Sequence, residues 1–174
     1  MATQRTVYQQ DDYSGTQTHR VVMDISDQLL DHLNTEDALR LMLAANLPGL
    51  SSAQVQATFL PFATDLGFTS EAKGLFREYE NKLRPDYFRP VEDTGILLEV
   101  ERGKTTTNNM DLLDFWKCHL CRHADYLFLM VPQALKHNDL MRPKREYASV
   151  VKRLETFFMP GNTTNVRAVH IFGY

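Results

Sequence analysis

The run YLFLMVPQ at residues 126–133 most restricts what this chain can become. It is apolar throughout and has the length of a strand rather than of a helix, so it reads as a strand covered on both faces. Such a strand needs a layer on each side of its sheet. The rest of the chain supplies helices to make them. The segment from Asp27 to Leu47 carries Leu29, Leu30, Leu33, Leu39, Leu41, Met42 and Leu43 in a one- or two-helix pattern that stops at Leu47-Pro48-Gly49. Ser51 or Ser52 can cap a second helix through about Leu66, and Thr69 or Ser70 a third, with Ala72, Leu75, Phe76, Tyr79 and Leu83 as its stripe.

After Pro85 the period changes. YFRPV reads as a short strand, EDTG as a turn and ILLEVE as a second strand ending at Arg102-Gly103. Asn108 or Asn109 can cap a helix from Met110 to about Arg122. A basic amphipathic helix spans about Pro143 to Phe157, and VRAVHIF forms a last strand. This order predicts an α/β domain with a mixed central β-sheet flanked by helices. At 174 residues and 43% hydrophobic content, a single domain is expected. The expected division is a flexible tail at 1–18 and one α/β domain at 19–174, with N-terminal helices in 27–66 and a core at 70–172.

The net charge of −3 conceals an asymmetry. Residues 1–80 hold 5 Lys/Arg against 11 Asp/Glu, whereas residues 81–174 hold 14 against 11, so a polyanionic partner should meet the second half. Cys118 and Cys121, three apart on a helix, are badly placed for a disulfide, and the chain reads as reduced and cytoplasmic. No window approaches the roughly 20 apolar residues of a membrane span, so no membrane partner is expected.

In ILLEVE, Glu99 and Glu101 are two residues apart, so a strand turns both to the same face. Like charges beside a packed sheet call for a proton or a cation. The following helix offers one. At about 100° per residue, Lys117 falls within the apolar arc of Leu113, Leu120, Cys121 and Ala124, where an unpaired ammonium is costly. Asp114, one turn earlier, supports a plainer alternative in which the two form an ordinary surface pair. Asp86, one hairpin strand upstream, can bring a third carboxylate to the same spot.

RPDYF, about a dozen residues, ILLEVE and then a helix resembles the PD-(D/E)XK nuclease superfamily over about residues 70–172. Pro85-Asp86 and Glu99-Val100-Glu101 fall on the motif, with Glu101 where the family usually has lysine. The resemblance implies a restriction-endonuclease-like core and a divalent-metal-dependent endonuclease acting on DNA, of the restriction or the recombination and repair kind. It implies Mg²⁺ or Mn²⁺ held by Asp86, Glu99 and Glu101, with Glu80 as an outer ligand. Asp86, Glu99, Glu101 and Lys117 form the expected catalytic set, Lys117 standing for the displaced lysine. Two strands and one site per domain imply a homodimer. The alternative is a nuclease-like domain that binds nucleic acid or protein without cutting.

Lys104, Thr105 and Asn108 of the loop RGKTTTNN, with Arg142, Lys144 and Arg145, are the expected nucleic-acid contacts. That loop lacks the GxxxxGK[ST] spacing, so no nucleotide cofactor is expected. Cys118, His119, Cys121 and His123 point in divergent directions around one helix and do not make a zinc site.

Overall fold

The computed structural model describes residues 1–47, 49–70, 75–76, 83–103, 105–135 and 142–174. The central sheet has six strands: β1 (Gln4–Gln9), β2 (Thr69–Ser70), β3 (Tyr87–Val91), β4 (Thr94–Val100), β5 (Tyr126–Val131) and β6 (Ala168–Gly173), in the order β1-β6-β5-β4-β3-β2. β4, β5 and β6 run parallel, and the remaining pairings are antiparallel. The expected mixed α/β sheet is therefore present, with β4, β5 and β6 buried along their whole length.

Side-chain alternation on the central strands sorts the core into two layers. Ile96, Leu98 and Val100 of β4 join Tyr126, Phe128 and Met130 of β5 on one face, under α1 (Gln17–Leu33), α2 (Glu36–Ala45) and α3 (Ser52–Asp65). Leu97, Leu127, Leu129 and Val131 face the other way, toward α4 (Met110–Leu120) and α5 (Glu146–Glu155). Glu99 has the parity of Leu97 and consequently projects toward α4.

The N-terminal region departs from expectation. Residues 1–18 are not a free tail: β1 pairs with β6 from Gln4↔Gly173 to Gln9↔Ala168, and α1 already begins at Gln17 behind its cap, Thr16. β1 is an edge strand with partly exposed side chains, so its polar composition QRTVYQ lacks the apolar alternation that marks a half-buried strand. The Asp27–Leu47 pattern resolves into two helices, because Thr35 accepts the Ala38 amide hydrogen at 3.3 Å and restarts the chain as α2. Thr69 and Ser70, the expected cap of a third helix, form strand β2 instead. Phe76 is buried, and residues 71–74 and 77–82 lie outside the described residues.

The β3–β4 hairpin turns at Glu92-Asp93, with Glu92 at φ 50°, and pairs Tyr87 with Leu98. Gly95 is required for close approach: a Cβ there would meet the backbone oxygens of Arg89 and His123, each at 2.8 Å. Among the described residues no helix is long and apolar enough to cross a membrane.

Candidate active site

The hairpin register sets Asp86 beside Glu99. The Asp86 backbone N–H donates to Glu99 Oε2 at 3.2 Å, and the Val100 N–H donates to Asp86 Oδ2 at 2.9 Å. Two hydrogen bonds thus lock the acid before β3 to the acid in β4. A third support comes from α3, where Gln56 Nε2 donates to Asp86 Oδ2 at 3.2 Å while Gln56 Oε1 accepts from the Tyr87 hydroxyl at 3.0 Å. Glu101 continues the β4–β5 ladder, its N–H donating to Met130 O at 2.9 Å, and its carbonyl accepts from the Tyr174 hydroxyl at 2.9 Å.

α4 supplies the cation. Lys117 Nζ lies 3.2 Å from Glu99 Oε1 and 2.8 Å from Asp114 Oδ1, with 11% of its side chain exposed. Both readings of Lys117 meet here: it pairs with Asp114 one turn away and also with Glu99 across the layer. The Asp114 pair is not a surface pair, because Asp114 is fully buried.

Electrostatics express an excess of negative charge. Burial and then the Asp114 carboxylate raise the Glu99 pKa well above its ordinary value, against the pull of Lys117. Burial raises Asp114 likewise. Burial, then Asp114, pushes Glu101 up to about 8. Burial works to lower the Lys117 pKa, but Asp114 and Glu99 outweigh it and keep the ammonium charged.

A divalent cation suits this donor set in chemistry and charge. The donors are hard carboxylate oxygens in excess of the lysine among them, of the kind Mg²⁺ and Mn²⁺ prefer. Among the described residues, however, no three His, Cys, Asp or Glu side chains stand as a ready-made cage. The carboxylates are closed on Lys117, on each other and on backbone amides, so an ion entering here competes with those contacts. Glu80 and Lys104 lie outside the described residues.

The expected nucleic-acid contacts divide. Arg142, Arg145 and Asn108 are exposed. Thr105 is fully buried and cannot meet a phosphate: an all-polar loop gave no hint that one of its threonines turns inward. Lys144 is committed to Glu146 Oε1 at 3.1 Å and Thr107 Oγ1 at 3.1 Å, which pins the loop to α5. Cys118 and Cys121 are buried free thiols. A polar cavity of about 440 Å³, lined by Tyr13, His119, Arg122, Asp125 and Arg167, opens at the start of β5, the opposite strand end from the carboxylates.

Gln56, Tyr174 and the burial of Asp114 were not anticipated as parts of the site. For Asp114 a signal existed, an acid three residues before an inward lysine. Gln56 and Tyr174 have no counterpart signal, since they arrive from distant segments.

A mixed sheet with helices on both faces, carrying paired acids at one hairpin end, defines a restriction-endonuclease-like fold. One solved structure similar to it is restriction endonuclease BglII complexed with a DNA 16-mer, at 11% identity and a TM-score of 0.56, covering 99% of this chain and 78% of that one. At such identity the likeness concerns the fold. The chain matches no known protein family and no curated protein by sequence.

Proposed function

We propose that this protein is a divalent-metal-dependent endonuclease that hydrolyses DNA phosphodiester bonds. The observation that carries this reading is the convergence of Asp86, just before β3, and Glu99 of β4 with Lys117 of α4 at one end of a restriction-endonuclease-like sheet. Asp86, Glu99 and Glu101 would hold Mg²⁺ or Mn²⁺, with Glu80 as an outer ligand. The bound ion would supply Lewis acidity, acidifying a water and offsetting charge on the phosphoryl oxygens. Asp86 is kept in orientation by Val100 N–H and Gln56, Glu101 orients the attacking water, and Lys117 sets positive charge toward the transition-state oxyanion. Arg142, Arg145 and Asn108 would contact the DNA backbone, and two copies would cut both strands of a duplex.

The absence of a ready-made ion cage among the described residues favours a second reading, a nuclease-like module that binds DNA without cutting. Incubating the full chain with supercoiled plasmid and Mn²⁺ separates the two. Nicking or linearisation that disappears in Glu99→Ala supports the nuclease. DNA binding without cleavage under Mg²⁺ or Mn²⁺ transfers the case to the binding module.

A further inference from the structure

We propose that Asp114 is a positioning residue, holding the Lys117 ammonium in the acidic site when Glu99 is drawn to a divalent cation. The proposal rests on the nuclease reading above. Lys117 has two anionic partners, and they differ in kind. Glu99 belongs to β4 and is one of the expected metal donors, and its Oε1 at 3.2 Å from the ammonium is an oxygen that an entering ion would contest. Asp114 belongs to the same helix as Lys117, one turn before it, and makes the closer contact at 2.8 Å. Within one helix the pair keeps its spacing whatever happens at the hairpin.

With Glu99 as the sole partner, each ion bound would cost the lysine its counter-charge, and each lysine contact would cost the ion a ligand. Asp114 relieves that competition. Complete burial of Asp114 makes the contact persistent, since water does not screen it. The segment Asp114-Phe115-Trp116-Lys117 thus carries a cation together with its own anchor, where the strand carries Glu101 in place of lysine.

Calorimetric Mn²⁺ titration without DNA and plasmid cleavage with Mn²⁺, both on the full chain, test this in Asp114→Asn, Asp114→Glu, Lys117→Met and the double variant D114N/K117M. In D114N the lysine falls back on Glu99, so Mn²⁺ affinity should drop roughly tenfold, within the range of coupling between contacting residues. Cleavage should fall with it. Asp114→Glu, which keeps the charge within reach of Lys117, should restore both. In K117M the contest for Glu99 is gone, so the double variant should bind Mn²⁺ as K117M does, and that comparison stands even where D114N alone folds poorly. D114N that binds and cuts like the parent overturns the proposal. A double variant binding more weakly than K117M also overturns it, by making Asp114 a metal ligand. A parent that neither binds Mn²⁺ nor cuts removes the nuclease reading, and this inference with it.

Discussion

Two clusters of buried charge lie within a few turns of each other on α4, and they are built on opposite principles. At the start of the helix, Asp111 and Glu146 are both fully buried, and each has its own cation: Arg153 Nε stands 3.0 Å from Asp111 Oδ2, and Lys144 Nζ 3.1 Å from Glu146 Oε1. Thr106 completes that cluster, its hydroxyl donating to Glu146 at 2.7 Å and its carbonyl accepting from the Arg153 guanidinium at 2.9 Å. Farther along, Asp86, Glu99, Glu101 and Asp114 gather around Lys117. The first cluster balances its charges and works as a clamp between loop, α4 and α5. The second sets four carboxyl groups against one lysine, and the raised pKa values of Glu99, Glu101 and Asp114 express that crowding.

The sharpest way to break this contrast is to remove Lys117. Lys117→Met deletes the charge and keeps most of the stem, and plasmid cleavage with Mn²⁺ should fall on the order of a hundredfold or more. In metal-free buffer the variant should also be less stable, because Glu99 and Asp114 lose their counter-charge, and Mn²⁺ should restore part of that loss. Undiminished cleavage would exclude Lys117 from the chemistry and turn attention to Lys104.

Arg153→Met attacks the clamp instead. It strands the buried Asp111, and urea denaturation should register a loss of about 2–3 kcal/mol, below the usual cost of breaking a buried pair because the Arg153 side chain is partly exposed. Mn²⁺ affinity should stay at the parent value. A large fall in affinity without a fall in stability would mean that the two clusters are one site.

Smaller effects follow from pH. Glu101 titrates near 8 in the folded protein against an ordinary 4.5, so the folded state holds more protons than the unfolded between those values and stability declines as pH rises through that window. Burial lowers His170 to about 3, with the nearby Arg5 and His19 charges adding to the effect, so its folded state binds fewer protons and stability is lost as pH falls below about 6.5. Melting temperatures across pH 4–9 should therefore pass through a crest. Adding Mn²⁺ should flatten the alkaline side, where carboxylates bind it, and leave the acidic side unchanged, because His170 sits against Ser26 and Phe128 on the other side of the sheet. An alkaline limb that ignores Mn²⁺ would mean Glu101 is a structural acid.

The smallest effect concerns the hinge between hairpin and α3. Gln56→Leu removes one donor from Asp86 and should weaken Mn²⁺ binding by about tenfold, the low end for a single hydrogen bond to a charged group, with Val100 N–H still in place. No change would leave Gln56 as a partner of Tyr87 only.

Local patterning determined a good deal on its own. Apolar runs in strands, the apolar stripe of α4 and the Glu92-Asp93 turn all act over a few residues, so the β3–β4 hairpin, β5, β6 and the α4 helix could be read from the chain, as could the shared face of Glu99 and Glu101 and the inward direction of Lys117. What the tertiary structure decided are pairings between segments far apart in sequence. β1 is a strand because β6 offers it an edge, and its own half-exposed residues do not say so. Thr105 is buried because α5 covers the loop with Glu146 and Arg153. Asp114 changes from a surface acid to a buried partner of Lys117 because α4 packs against the sheet at β5, and burial is a property of the assembled layers, which no periodicity within one helix can specify.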